Sequence, residues 1–136
     1  MNASVVETHS STLFFVDGLV YKRKKPLNLG FSDFRTREAR LVGCRDEVRL
    51  NRRLSPDVYL GVADVVGTDG RVCDHLVVMR QMSDDRRLAA LVVAGENVDS
   101  VLHEVAAQIA KLHQRFPAPR DRRHLAGTEA VRQLWM

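Results

Sequence analysis

The chain has 136 residues, 45% of them hydrophobic and 28% charged, which fits one soluble globular domain and excludes collagen-like, disordered and disulfide-scaffold classes. Its formal net charge is +4 and its basic residues are spread among 17 acidic ones, so we expect no nucleic-acid partner. With no leader-like segment and no run of about 20 apolar residues, the sequence predicts a cytoplasmic protein without a membrane partner. Cys44 and Cys73 have no metal-ligand spacing and are predicted to be buried free thiols.

The first predicted element is a β-hairpin. Two β-prone runs flank Asp17-Gly18, a pair typical of a two-residue hairpin turn. The resulting register places Leu13 opposite Lys22. Because side chains alternate along a strand, one face of the sheet carries Val20, Lys22 and Lys24.

The next element is a helix with a carboxylate on its apolar side. Asp33 or Thr36 is a candidate N-cap, and the helix is predicted to run to about Leu54, before Ser55-Pro56. Its predicted apolar side carries Ala39, Leu41, Gly43, Cys44, Val48, Leu50 and Leu54. Glu47 lies near the middle of that side, where an exposed carboxylate is unexpected.

The second half of the chain is predicted to contain another hairpin and several helices. The hairpin turns at Asp69-Gly70, and its second strand covers about residues 72–80. A short helix is predicted over about residues 85–94, and a long helix from Val98 to Phe116 has an apolar stripe predicted to be buried. A further helix is predicted from Thr128. These elements indicate an α+β fold.

A strand lysine followed about 25 residues later by a glutamate on a packed helix is typical of the small lobe of protein kinases. There the lysine contacts the phosphates of ATP, and the carboxylate holds the lysine by a charge-assisted hydrogen bond. Lys22 and Glu47 fit this spacing, and Lys24 is the rival lysine. Alternatively, the lysines form a solvated strand edge and Glu47 lies at the border of its helix. The spacing alone leaves both interpretations open.

Four motifs resemble those of a known family. They are ETHSS at 7–11, YKRKKP at 21–26, SDF at 32–34 and EVRLNRRLSPDVYLGV at 47–62. Residues 7–62 are similar to the first lobe of bacterial aminoglycoside-phosphotransferase-like kinases. They most resemble the branch in which this kinase region is joined to a separate P-loop ATP-binding domain. The later segments HLVVMRQM and VAAQIAKLHQRFP are compatible with the same family.

The resemblance implies a domain organisation. Residues 1–82 would form a protein-kinase-like small lobe, with an antiparallel sheet of four to five strands and one packed helix. An interlobe linker would lie near 79–84. Residues 85–136 would begin an incomplete helical second lobe.

The resemblance also implies a site for ATP. The phosphates would lie under a loop formed by Thr8, His9, Ser10 and Ser11. Lys22 and Glu47 would be the phosphate-positioning pair, with Lys24 as the alternative lysine, and Val20 would cover the adenine. The linker residues that would pair with adenine are Met79, Arg80, Gln81 and Met82.

The sequence lacks the motif that such kinases use for transfer. None of its five histidines is followed by an aspartate two positions later, and the family places its catalytic loop beyond Met136. We therefore expect an ATP-binding framework without catalytic residues, unable to hold Mg²⁺ or transfer phosphate alone. Because the second lobe would be incomplete, the apolar stripe from Val98 to Phe116 has too little to pack against and is expected to be exposed. The alternative is therefore a non-catalytic interaction module, in which this helix serves self-association or a protein partner. The acceptor substrate is not predicted.

Overall fold

The structure is a computed structural model that describes residues 3–30 and 32–117, so the helix predicted from Thr128 lies outside the described residues. It has an α+β fold with a five-stranded antiparallel sheet, as predicted. The strands are β1 (Ala3–Glu7), β2 (Ser11–Val16), β3 (Leu19–Lys24), β4 (Tyr59–Val66) and β5 (Val72–Arg80). The α-helices are α1 (Arg37–Asn51), α2 (Leu88–Val93) and α3 (Asp99–Arg115), and a 3₁₀ turn covers Asp84–Arg86. The chain divides into two units, Met1–Arg87 and Leu88–Met136.

The sheet has the strand order β1-β2-β3-β5-β4, with β3 in the middle. The β2-β3 turn confirms the predicted hairpin, because Asp17 and Gly18 have φ of 47° and 79°, the positive values that a two-residue turn of this kind requires. Leu13 lies opposite Lys22, as the sequence predicted. The register therefore puts alternate residues of β3 on the same face, which determines where the lysines point.

Helix α1 begins where predicted and ends earlier. Thr36 is the N-cap, and its Oγ1 accepts a hydrogen bond of 3.1 Å from the Ala39 N–H. After Asn51 the chain turns tightly, and the Ser55 N–H donates to the Asn51 carbonyl at 2.9 Å. Because Pro56 disfavours helical geometry at the residue before it, the chain leaves the helix and enters β4.

The core of the first unit lies between α1 and the strands β4 and β5. It consists of Cys44, Val48 and Val77, with Tyr59, Val62 and Met79 packed around them. Leu50 and Leu54, which the periodicity placed on the apolar side of this helix, are 45% and 44% exposed. Leu50 is six residues from Cys44, about 240° around the helix, and Leu54 follows the end of α1.

Cys73 is exposed, so its predicted burial is also wrong, whereas Cys44 is a buried free thiol as predicted. The pairing of β4 with β5 shifts by one residue between Val65 and Val66, opposite Cys73. Such a bulge changes the direction of side chains along a strand. The Cys73 thiol is 3.4 Å from the Val65 carbonyl oxygen.

The second unit has two described α-helices. Gly95, with φ of 76°, ends α2, where the Glu96 N–H donates to the Leu91 carbonyl at 3.0 Å. Helix α3 contains no buried residue among those described, so its apolar stripe is exposed, as expected for this chain, and is not buried as helical periodicity alone indicates. Exposed fractions of 40–47% are found at Val101, Leu102, Val105, Ile109 and Phe116. No helix in residues 3–30 and 32–117 has the length and apolar content needed to cross a membrane.

Candidate functional site

Two lysines and one glutamate form an ion triad on the sheet face that packs against α1. Lys22 Nζ lies 2.9 Å from Glu47 Oε1, and Lys24 Nζ lies 2.7 Å from Glu47 Oε2. The sequence predicted Lys22 as the partner of this carboxylate, with Lys24 as the alternative. The structure brings both to it, one on each oxygen.

The positions of these groups follow from the packing of their elements. Cys44 and Val48 pack on Val77 and thereby fix the rotation of α1, so Glu47 points toward β3. Its side chain is 13% exposed, which is low for a carboxylate. Alternation along β3 brings Lys22 and Lys24 to the same face. The unexpected place of Glu47 on its helix is therefore explained by its two charged partners.

Glu47 is held ionised by its neighbours. Burial raises the pKa of Glu47, but hydrogen bonds from Lys24 and Lys22 outweigh burial and bring the pKa below its ordinary value. Two ammonium groups and one carboxylate leave the triad with a net charge of +1.

An apolar cleft of about 560 Å³ lies on the same face of the sheet. Six of the predicted nucleotide residues line it, namely Thr8, Val20, Met79, Arg80, Gln81 and Met82. Further lining residues include Ser4, Val6, Leu13, Phe15, Val58 and Tyr59. The prediction missed Leu13 and Phe15, although their alternation on β2 opposite Lys22 and Val20 could have identified them.

The other predicted residues do not line this cleft. Lys22, Lys24 and Glu47 lie beyond its edge, and Lys22 is the nearest of the three along β3, two positions from Val20. His9, Ser10 and Ser11 also lie outside its lining. The cleft and the triad are therefore neighbours on one sheet face.

The loop from Thr8 to Ser11 is a tight turn closed by its own groups. The Thr8 N–H donates to the Ser11 carbonyl at 2.8 Å, and the Ser11 N–H donates to Thr8 Oγ1 at 3.0 Å. Ser11 is buried and lies opposite Lys24, and the Lys25 N–H donates to the Ser10 carbonyl at 2.9 Å. Among the described residues, the amides of His9 and Ser10 have no acceptor, so they are the donors that this loop can offer to an anion.

At the end of β5, the amides of Arg80 and Gln81 are already used in hydrogen bonds. The Arg80 N–H donates to the Val58 carbonyl and the Gln81 N–H to the Gly18 carbonyl, each at 2.8 Å. Within the described part of the chain, the Met82 N–H has no acceptor. Of these three amides, Met82 alone can donate to a ligand without breaking an existing bond.

A second ionic cluster supports the same region and was not predicted. Arg40 Nε and Arg23 Nε each lie 2.7 Å from an oxygen of Asp74, and Arg40 is only 7% exposed. Burial raises the pKa of Asp74, but hydrogen bonds from both arginines and from the His75 N–H lower it overall. Asp74 therefore ties α1 and β3 to β5. Residues 3–30 and 32–117 contain no group of three or more His, Cys, Asp or Glu side chains suited to a metal ion.

Comparison with known proteins gives relatives in mycobacteria. The chain is 40% identical over 111 residues, 82% of its length, to uncharacterized proteins of Mycobacterium bovis and Mycobacterium tuberculosis. The matched stretch is 22% of those proteins, so the chain spans about a fifth of their length. No protein-family model matches the chain. No solved structure matches it either.

Proposed function

We propose that the chain is the ATP-binding portion of an aminoglycoside-phosphotransferase-like kinase, with a protein-kinase-like small lobe. The observation that carries this proposal is the position of the Lys22–Glu47 ion pair beside an apolar cleft, on one face of a five-stranded antiparallel sheet. A nucleotide needs an apolar surface for its base and a fixed cation for its phosphates, at two neighbouring places.

The lining of the cleft suits a purine base. Val20, Phe15 and Met79 supply apolar and aromatic surface, and the Met82 N–H is an available donor at the rim. The base would lie against Val20 and direct its phosphates along β3, toward Lys22. The amides of His9 and Ser10 lie on the neighbouring turn.

Lys22 is the lysine that we assign to the phosphates. Its side chain is 28% exposed, whereas that of Lys24 is 10% exposed. Lys22 also lies two positions from Val20, which lines the cleft, whereas Lys24 lies four positions away. Before a ligand binds, Glu47 holds the Lys22 ammonium beside the cleft through a charge-assisted hydrogen bond of 2.9 Å.

These 136 residues are expected to bind ATP without transferring phosphate. They contain no His-x-Asp motif to orient an acceptor hydroxyl, and we assign no residue to a metal ion. Binding is therefore the activity to test. Metal-dependent turnover by the purified chain would overturn this part of the proposal.

Titration calorimetry with ATP tests the proposal. Lys22→Met is expected to weaken binding about tenfold or more, since it removes the charge that faces the phosphates. Lys25→Met is the matched control, because Lys25 makes the same charge change three positions away and pairs with Glu7 at 3.1 Å. If ATP does not bind, or if both variants lose the same affinity, the proposed site is wrong.

The exposed apolar side of α3 favours a second candidate, a non-catalytic interaction module acting by self-association or through a protein partner. Ile109 and Val105 are 41% and 47% exposed, and an apolar stripe of this kind often marks an interaction surface. Light scattering after size exclusion would detect self-association, and Ile109→Asp should abolish it. A monomer at all concentrations, together with ATP binding, would favour the nucleotide function.

A further inference from the structure

The two lysines on Glu47 have different surroundings. Lys24 Nζ also lies over the ring of Phe34, 5.0 Å from its centroid. A cation over an aromatic face is stabilised by the charge distribution of the ring. Lys24 thus has two partners and little water, whereas Lys22 has Glu47 as its charged partner and is 28% exposed.

Gly43 makes the position of Phe34 possible. A Cβ atom at residue 43 would lie 2.6 Å from Phe34 Cε1 and 3.2 Å from Lys24 Cε. The first distance is shorter than real Cβ contacts allow. The ring and the stem of Lys24 can therefore lie against α1 only because residue 43 has no side chain.

The backbone of Phe34 is fixed from the other side. Its N–H donates to the Leu27 carbonyl at 2.9 Å, and its carbonyl accepts from Arg40 Nη1 at 3.1 Å. Arg40 is itself held by Asp74 at 2.7 Å. The ring is therefore placed by a buried ion pair on one side and by Gly43 on the other.

We infer that Phe34, seated against Gly43, holds Lys24 as the permanent counter-charge of Glu47 and so allows Lys22 to turn toward a phosphate chain. If Lys22 were the single partner of Glu47, its movement toward a ligand would leave the Glu47 carboxylate, which has low exposure, without a counter-charge. An unpaired charge at such a site is costly. With Lys24 fixed, the net charge of +1 of the triad falls on Lys22. Phe34 and Gly43 are thus positioning residues for a site that binds a nucleoside triphosphate or a free polyphosphate.

Trace acetylation with acetic anhydride, followed by peptide mass spectrometry, tests this assignment without any ligand. In the wild type, Lys22 should react at least about two- to fivefold faster than Lys24, which is the size of effect expected from a cation–π contact. Phe34→Ala should speed the reaction at Lys24 by a similar factor, and Phe34→Tyr should keep Lys24 protected. Equal rates at the two lysines in the wild type would overturn the inference.

A matched control and a second variant keep the test decisive. Phe14 lies on the opposite face of the sheet, so Phe14→Ala should leave the Lys24 rate unchanged. If Phe34→Ala does not fold, Gly43→Ala should displace the ring and also expose Lys24. Unchanged labelling of Lys24 in a folded variant of either kind would contradict the role of Phe34.

The division of roles rests on the proposed nucleotide site, and added ligand tests it separately. ATP or tripolyphosphate should protect Lys22 from acetylation and leave Lys24 unchanged. Protection by tripolyphosphate indicates recognition of the phosphate chain, and protection by ATP alone indicates a nucleotide. Equal protection of both lysines would overturn the division of roles. No protection of either would overturn the phosphate site, whereas the ligand-free rates report on Phe34 independently.

Discussion

Replacement of Glu47 by glutamine is the sharpest test of the ion triad. The carboxylate accepts from Lys22 at 2.9 Å and from Lys24 at 2.7 Å, whereas an amide has one acceptor oxygen and would turn its NH₂ group toward the other ammonium. One charge-assisted hydrogen bond is lost, worth about 1.5–3 kcal/mol, and two like charges remain side by side. Breaking a fully buried ion pair typically costs about 3–5 kcal/mol, but the side chain of Lys22 is 28% exposed and water screens part of its charge. We therefore expect Glu47→Gln to lower the free energy of unfolding by about 2–4 kcal/mol.

Urea denaturation followed by far-UV circular dichroism measures this change. Asp46→Asn is the matched control, since Asp46 is the preceding residue of α1, its side chain is 51% exposed and it pairs with Arg49. That control should change the free energy of unfolding by no more than about 0.5 kcal/mol. A cost for Glu47→Gln below about 1 kcal/mol, or one equal to that of the control, would refute the partly buried triad.

Three other predictions concern pH, the core and the helix cap. The pKa values of Glu47 and Asp74 are lowered from 4.5 and 3.8 by folding, so their stabilising contribution is full above those values and is lost as pH falls through them toward the folded pKa values. Thermal melts should therefore show a falling melting temperature below about pH 4.5, and an unchanged one would contradict these shifts. Val77→Ala, at a fully buried site, should cost about 2–3 kcal/mol by urea denaturation, whereas Val66→Ala, 58% exposed, should cost less than about 0.5 kcal/mol. Thr36→Ala removes the N-cap bond of α1 and should cost about 1 kcal/mol in the same assay, and no cost would show that another group caps the helix.

Local patterns were sufficient to predict the elements that position the candidate site. Asp17-Gly18 determines the β2-β3 register through positive φ at both residues, and that register places Lys22 and Lys24 on one face. Glu47 was identified because a carboxylate on the apolar side of a helix needs a partner. The bounds of β5 and α3 followed from runs of apolar residues and from helical periodicity.

The features that the sequence did not predict depend on contacts between distant residues. The Arg40–Asp74 pair joins residues 34 positions apart. An arginine in a helix is predicted to be exposed unless its buried partner is known. The contact of Phe34 with Gly43 depends on how closely the loop before α1 approaches that helix. The pattern of apolar residues along the sequence does not predict this distance. Leu50 was placed on the apolar side of α1 but is exposed, because the buried side of the helix is a narrow strip that includes Cys44 and Val48.

The basic run from Lys22 to Lys25 has less available charge than its composition indicates, because its residues form ion pairs on both faces of the sheet. Arg23 binds Asp74 at 2.7 Å and Lys25 binds Glu7 at 3.1 Å, while Lys22 and Lys24 share Glu47. Within this run four cations face three carboxylates, and the two lysines that share Glu47 account for the difference. Asp74 is likewise shared, by Arg23 of the run and Arg40 of α1. Phe34 covers Lys24, so the surplus charge of the two lysines lies on Lys22, the lysine nearest the cleft. The run thus concentrates one positive charge at the place where the proposed phosphate chain would end.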